Sequence, residues 1–343
     1  MVQVQPPYQA YQQALTAELK DLFSARQGFL YNLLRYHLGW VDQRGQPETP
    51  GAPAAASHLP PMLALTSCQA LAGSFHPALP VAAAVDLVYN FTLVHGDVQA
   101  GRADAQSRPS IWWVWGPAQA INAGDGLHAL GRASVMRLGQ RGVPPERVLR
   151  AVEALDRACL ALCEGQYLDL GFQDQLMVTR SQYDDMVQRK AGALTGCAAE
   201  LGALAAGADD AACARFREAG TRLGMAWQVG RDIADLWGQR GDGMTPSTVL
   251  NKKKGLPLVY ALETAPPGVK RELGMVYMKR VLEPADVARL VQILDEAGAR
   301  RYAEGRAREL AEQALAALED AGLRPEGLED LRHLGEWALE GAA

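Results

Sequence analysis

Two windows of the sequence place ionisable side chains on runs that are otherwise apolar with helical period. In the first, Asn90, Asp97 and Asp104 recur every seven residues, and a helix that stops short of Asp104 would carry only the first two. In the second, WQVGRDIAD, the residues Gln228, Arg231 and Asp235 lie at i, i+3 and i+7 and share one face. Asp232 lies about 100° round from Arg231. Facing carboxylates at the mouth of a helical bundle hold Mg²⁺ bridged to a polyphosphate. Either window alone reads more simply as helix caps or a buried ion pair. Two of them, about 130 residues apart and each after an apolar run, favour the polyphosphate chemistry.

The elements that must position these residues read as helices almost throughout. Residues 8 to 39 carry Leu15, Leu19, Leu22, Phe23, Phe29, Leu30, Leu33 and Leu34 on an apolar stripe. Further helices are expected at 62–73, 78–97, 117–140, 146–168, 181–205, 210–237, 254–264, 268–281, 285–298 and 300–321. Breaks fall at Gly-, Pro- and Asp-rich points, and residues 45–61 read as a loop. β-branched alternation is nearly absent, so strands have little support. Runs such as 81–97 and 191–205 are Ala- and Leu-rich on most faces, which suits helices inside a large bundle. No composition shift divides residues 1–343, so one all-α domain is expected.

Composition sets the outer limits. The 343 residues are 48% hydrophobic and 21% charged, with a net charge of -5, which points to neither nucleic acid nor an anionic membrane as partner. The five cysteines are odd in number and sit mostly among alanine and leucine, so they read as buried reduced thiols. Cys159 and Cys163 are an i,i+4 pair without a nearby histidine to complete a zinc site. The first residues lack the pattern of a signal peptide. No apolar run approaches the ~18 residues of a membrane span. A cytoplasmic, soluble protein is expected.

The stretch LVHGDVQAGRADAQSRPSIW, residues 93–112, links these observations to a known pattern. Together with NFTLVHGDVQ, RPSIWWVWGPAQAINAGDGLHAL, EGQYLDL, YDDMVQRKAGAL, LGMAWQVGRDIADLWG and NKKKGLPLVYALE, it resembles the trans-isoprenyl diphosphate synthase (polyprenyl synthetase) family over nearly the full length. That resemblance implies an all-helical bundle around a central cavity, usually dimeric, with residues 238–253 forming a loop over the cavity mouth. It also implies Mg²⁺-assisted ionisation of an allylic diphosphate and joining of the cation to isopentenyl diphosphate.

Carried over residue by residue, the pattern is badly eroded. The family's HDDxxD and RRGxP place His95 and Pro109 at their usual interval of fourteen. The three metal aspartates then fall on Gly96, Asp97 and Ala100, and the paired arginines on Ala105 and Gln106. The family's GKRxRP puts Ser57 where lysine belongs and Pro60 where arginine belongs, and Tyr89 stands for the expected histidine. The second motif, DDxxD, reads Arg231, Asp232 and Asp235. The metal set implied is therefore Asp97, Asp232 and Asp235, weakened enough that Mg²⁺ is doubtful. Retained for diphosphate are Lys190, Gln228 and Lys253, while Ala191 replaces the threonine after the first lysine. Arg102 and Arg231 are added cations. Arg231 either pairs with Asp97 or Asp235 or holds phosphate oxygens directly. Phe91 sits where bulky side chains floor the chain cavity of short-chain members, implying a ligand of roughly ten to twenty carbons by family analogy, or else it is ordinary core. The aromatics of IWWVW, 111–115, read as helix packing.

Losing several charge-assisted contacts, each worth ~1.5–3 kcal/mol, argues against ordinary elongation with isopentenyl diphosphate. Three expectations remain. One is an enzyme that transfers or cyclises a single prenyl diphosphate. Another is a non-catalytic subunit, forming a heterodimer with an intact prenyl diphosphate synthase. The third is a prenyl-chain binding protein without chemistry. The sequence leaves homodimer and heterodimer both open.

Overall fold

The computed structural model describes residues 8–48, 58–105, 108–238, 249, 251–279, 283–319 and 321–340. These residues are all-α, as expected. The strands among them are one two-residue pair, Asp104–Ala105 against Arg108–Pro109, antiparallel. Backbone contacts divide the chain into two compact units. Met1–Leu155 with Ala198–Cys213 forms the first, and Asp156–Cys197 with Ala214–Ala343 the second.

The first unit contains α1 (Tyr8–Phe23), α2 (Phe29–His37), α3 (Leu59–Ala72), α4 (Leu79–Ala100), α5 (Ile111–Trp115), α6 (Pro117–Gln140) and the start of α7 (Pro145–Gln173). α4 is apolar on nearly every face and is buried accordingly, with Val81, Ala82, Ala83, Ala84 and Val85 wholly shielded. Each such valine contributes roughly 1.5–3 kcal/mol of hydrophobic stabilisation. α4 lies along α6, where Ser134 Oγ donates to the Pro80 carbonyl at 2.8 Å. The stretch His76–Ala100 is long and apolar enough to cross a membrane, more than the sequence led us to expect. In its most apolar window 72% of the residues are buried, so burial within the protein accounts for that composition.

The second unit contains the rest of α7, then α8 (Arg180–Val187), a π-helical turn (Gln188–Gly192), the start of α9 (Ala193–Ala205) and most of α10 (Asp210–Trp237). After these come α11 (Leu256–Thr264), α12 (Pro267–Met278), α13 (Pro284–Glu296), α14 (Ala299–Ala316) and α15 (Gly327–Glu340). α8 starts on a capping box, in which Thr179 and Gln182 exchange side-chain and backbone hydrogen bonds. One of its cores gathers Tyr183, Val187, Met225, Val229, Leu256 and Ala303.

Several boundaries differ from the expected ones for local reasons. The window 8–39 splits after Phe23, with Gly28 at φ 108 preceding α2. α3 begins inside the expected 45–61 loop, whose residues 49–57 lie outside the described set. Of the 238–253 loop, residues 239–248 and 250 lie outside it too. The window 181–205 is interrupted by the π turn. α15 was not anticipated, although GLEDLRHLGEWALE has the acidic first turn and apolar spacing of a helix.

Candidate functional site

In the first unit the chemistry centres on the end of α4. Gly101 stops the helix in the left-handed conformation, at φ 62, where a side chain would be strained. The Arg102 N–H then returns to the Asp97 carbonyl at 3.0 Å. The Arg102 carbonyl accepts from Ser110 Oγ at 2.8 Å and from the Trp112 indole N–H at 2.6 Å. With its backbone held on both sides, Arg102 turns its guanidinium onto Asp97, Nη2 to Oδ1, 2.9 Å. Asp97 is only 4% exposed. Burial raises its carboxyl to about 6, against the pull of Arg102. The guanidinium on Asp97 is that of Arg102, five residues on. Trp112 serves here as a hydrogen-bond donor, and Trp113 is 62% exposed, so the IWWVW run does more than pack.

Around the positions expected for isopentenyl diphosphate, other groups pair with one another. Tyr89 packs its ring against His58 with centroids 4.5 Å apart, and His58 Nδ1 pairs with Asp86 at 2.9 Å. His37 Nε2 meets Asn90 Oδ1 at 3.0 Å, and burial lowers that imidazole to about 4, keeping it neutral. Pro60 is buried in the first turn of α3, and Ala105 pairs with Arg108 in the short ribbon. Ser57 and Gln106 lie outside the described residues. Phe91 is half-buried, edge-on to His95 and His128 with centroids at 4.8 and 5.5 Å.

In the second unit two lysines converge. Lys190 Nζ donates to Asp169 Oδ2 at 2.6 Å, and Lys253 Nζ donates to the same oxygen at 3.1 Å. Asp169 is 5% exposed. Burial alone would raise its carboxyl, but the two ammonium groups outweigh this and hold it below the ordinary range. Burial lowers Lys190, opposed by Asp169 and reinforced by the charges of Lys253 and Arg231. Lys190 projects from the π turn, a conformation common where a helix serves a site. Its backbone is crossed closely by α7 at Gly165, where a Cβ would lie 2.5 Å from the Lys190 nitrogen, so only glycine fits. Lys253 is set by the segment after it. Buried Lys254 donates to the Lys252 carbonyl at 3.1 Å and lies over the Tyr277 ring at 5.0 Å.

α10 carries the second acidic window. Asp232 is 6% exposed and fully engaged. Its Oδ2 accepts from the Tyr183 hydroxyl at 2.6 Å and the Leu256 N–H at 2.9 Å, and its Oδ1 accepts from Gln228 Nε2 at 2.9 Å. Gln228 thus hydrogen-bonds Asp232, and Asp232 ties α8, α10 and the start of α11 together. Burial raises its carboxyl, while Tyr183 and Leu256 oppose the rise. Arg231 is exposed, its guanidinium 5.1 Å from the Trp227 ring centroid, and Asp235 is half-buried. Neither Asp169 nor Tyr183 was singled out from the sequence. The spacing in GQYLDL, one helical turn from Gly165 to Asp169, was the available signal for the first.

Two ammonium groups on one buried carboxylate leave an excess of one positive charge, which suits a phosphate-bearing ligand. The polyprenyl synthetase family profile matches residues 56–294. The chain belongs to the polyprenyl synthetase family. It is 35% identical over 300 residues to a geranylgeranyl diphosphate synthase of Mycobacterium tuberculosis, covering 87% of this chain and 83% of that protein. It is 28% identical over 327 residues to a (2E,6E)-farnesyl diphosphate synthase of Mycobacterium bovis, covering 93% and 89%. The solved structure of a polyprenyl synthetase from Streptomyces coelicolor matches with a TM-score of 0.87 at 28% identity, over 96% of this chain and 98% of that one.

The carboxylates of this polyprenyl synthetase do not suit Mg²⁺, which needs several free hard oxygens in octahedral array. Asp97 is held by Arg102, and both oxygens of Asp232 already accept hydrogen bonds. Among the described residues no three metal-ligating side chains converge.

Proposed function

We propose that this polyprenyl synthetase binds a prenyl diphosphate of about ten to twenty carbons and transfers or cyclises its chain without elongating it by isopentenyl diphosphate. The observation that carries the reading is the convergence of Lys190 and Lys253 on Asp169. Their ammonium groups gather the diphosphate oxygens and stabilise the charge that builds on them as the C–O bond breaks. Arg231, exposed on α10, is the further cation of this reading. Elongation is disfavoured because a second diphosphate would meet the His58–Asp86 pair and Tyr89 in place of lysine, arginine and histidine. The test is product analysis with geranyl, farnesyl and geranylgeranyl diphosphate, with and without isopentenyl diphosphate. Substrate consumption with no product one isoprene unit longer is expected, and accumulation of the longer product sinks the reading.

The engagement of Asp97 and Asp232 favours a second reading, a non-catalytic subunit that binds an intact prenyl diphosphate synthase and adjusts its product length. Exposed Trp113, Ile121 and Met136 on α5 and α6 offer apolar surface for such a partner or for a homodimer. No turnover alone, with altered product length on mixing with an intact synthase, would select it.

A further inference from the structure

We infer that diphosphate binding by this protein needs no divalent cation, because ammonium groups fixed at Asp169 supply the positive charge. The inference rests on the proposed binding of a prenyl diphosphate and concerns how that ligand's charge is balanced. A diphosphate brought to a site of carboxylates needs a metal to bridge like charges. Here the polarity of the site is reversed. In the second unit the carboxylate at the centre, Asp169, is buried and already matched by two lysines, so the surplus charge is positive before any ligand arrives. The neighbouring carboxylate Asp232 already accepts from the Tyr183 hydroxyl, the Gln228 amide and the Leu256 N–H, which leaves it one of its roughly four acceptor sites. The acid that would precede it is Arg231, which adds a cation. In the first unit, the buried Asp97 carries its own counter-ion in Arg102, whose backbone is clamped by Ser110 and Trp112. Among the described residues no three potential metal-ligating side chains come together, while the second unit offers a phosphate two preset donors.

The geometry also makes the cations cheap to keep in place. The π turn and the crossing at Gly165 set the Lys190 backbone, and Asp169 already holds the side chain, so less freedom remains to be lost when an anion docks. Free Mg²⁺ complexes diphosphate and lowers its charge, so magnesium should compete with the lysines instead of assisting them.

Isothermal titration of the purified full chain with inorganic diphosphate, and separately with geranylgeranyl diphosphate, decides the matter in two buffers, one with excess EDTA and one with millimolar Mg²⁺. Affinity in EDTA equal to or tighter than that in Mg²⁺ is the expected result. Affinity tighter in Mg²⁺ by about tenfold or more overturns the inference and leaves the proposed function standing. Absence of binding in both buffers overturns both. Lys190→Ala and Lys253→Ala should each weaken binding in EDTA by about tenfold or more, the loss of one charge-assisted contact. Unchanged affinity in both folded variants would also overturn it, since metal-free binding would then lie elsewhere.

Discussion

The buried carboxylates Asp97, on apolar α4, and Asp169, on the more charged α7, have opposite electrostatics. Asp97 has one counter-ion, half-exposed Arg102, and its carboxyl is pushed up to about 6. Asp169 has two, and its carboxyl is held low. The first is a one-to-one pair that carries no surplus charge. The second is an open arrangement whose two donors outnumber their acceptor. The number of cations around a buried acid, more than the acid itself, sets the sign of the charge left over for a ligand.

The contrast breaks most visibly at the lysines. The double variant Lys190→Ala/Lys253→Ala should lose diphosphate affinity by roughly a hundredfold or more, measured by titration, because two charge-assisted contacts vanish together. Asp232→Ala should lower unfolding stability by about 3 kcal/mol in urea, leaving the buried Tyr183 hydroxyl and Leu256 N–H and the half-buried Gln228 amide without this acceptor. Asp169→Asn should weaken diphosphate binding with a pH dependence absent from the parent. Burial already lowers Lys190, and without Asp169 it sheds its proton at a lower pH, so binding falls as pH rises. A uniform loss at every pH would mark Asp169 as merely structural.

The smallest effect lies at the one-to-one pair. A carboxyl whose folded pKa is raised favours the folded state below its unfolded value, and that contribution is lost as pH rises through the folded value. For Asp97 the window runs from 3.8 to about 6. Asp97→Asn should therefore gain stability relative to the parent across that window, by on the order of 2 kcal/mol, and level off above it. A difference between the two proteins that is flat from pH 4 to 7 would refute the raised carboxyl.

Much of this was legible in the residues. Helical period and the lack of β-branched alternation pointed to the all-α fold that the described residues adopt. Lys190, Lys253 and Gln228 were named from the sequence, but their partners were not. Which guanidinium reaches Asp97 depends on the left-handed Gly101 and on Trp112 capturing a carbonyl ten residues back, neither of which has a periodic signature. The pairing of Lys190 with Lys253 spans 63 residues and needs Asp169 from a third element, so spacing along one helix could not reveal it. Tyr183 was hidden for the same reason, since its acceptor lies 49 residues away.

The π turn at Gln188–Gly192 has a consequence for how tolerant the chain is to change in length. Such a turn holds an extra residue within a helix that otherwise repeats every 3.6. Deleting a single residue just after Lys190 would let the segment relax into regular helix from α8 through α9, with its hydrogen bonds complete. Because the turn already absorbs the extra residue, the helix faces on either side of the deletion would keep their relative orientation. The widened backbone from which Lys190 reaches Asp169 would be lost, while the apolar face of α9 stayed on its core. A one-codon deletion there would thus keep the fold and disturb the lysine, whereas point substitutions of exposed neighbours such as Gln188 would cost neither.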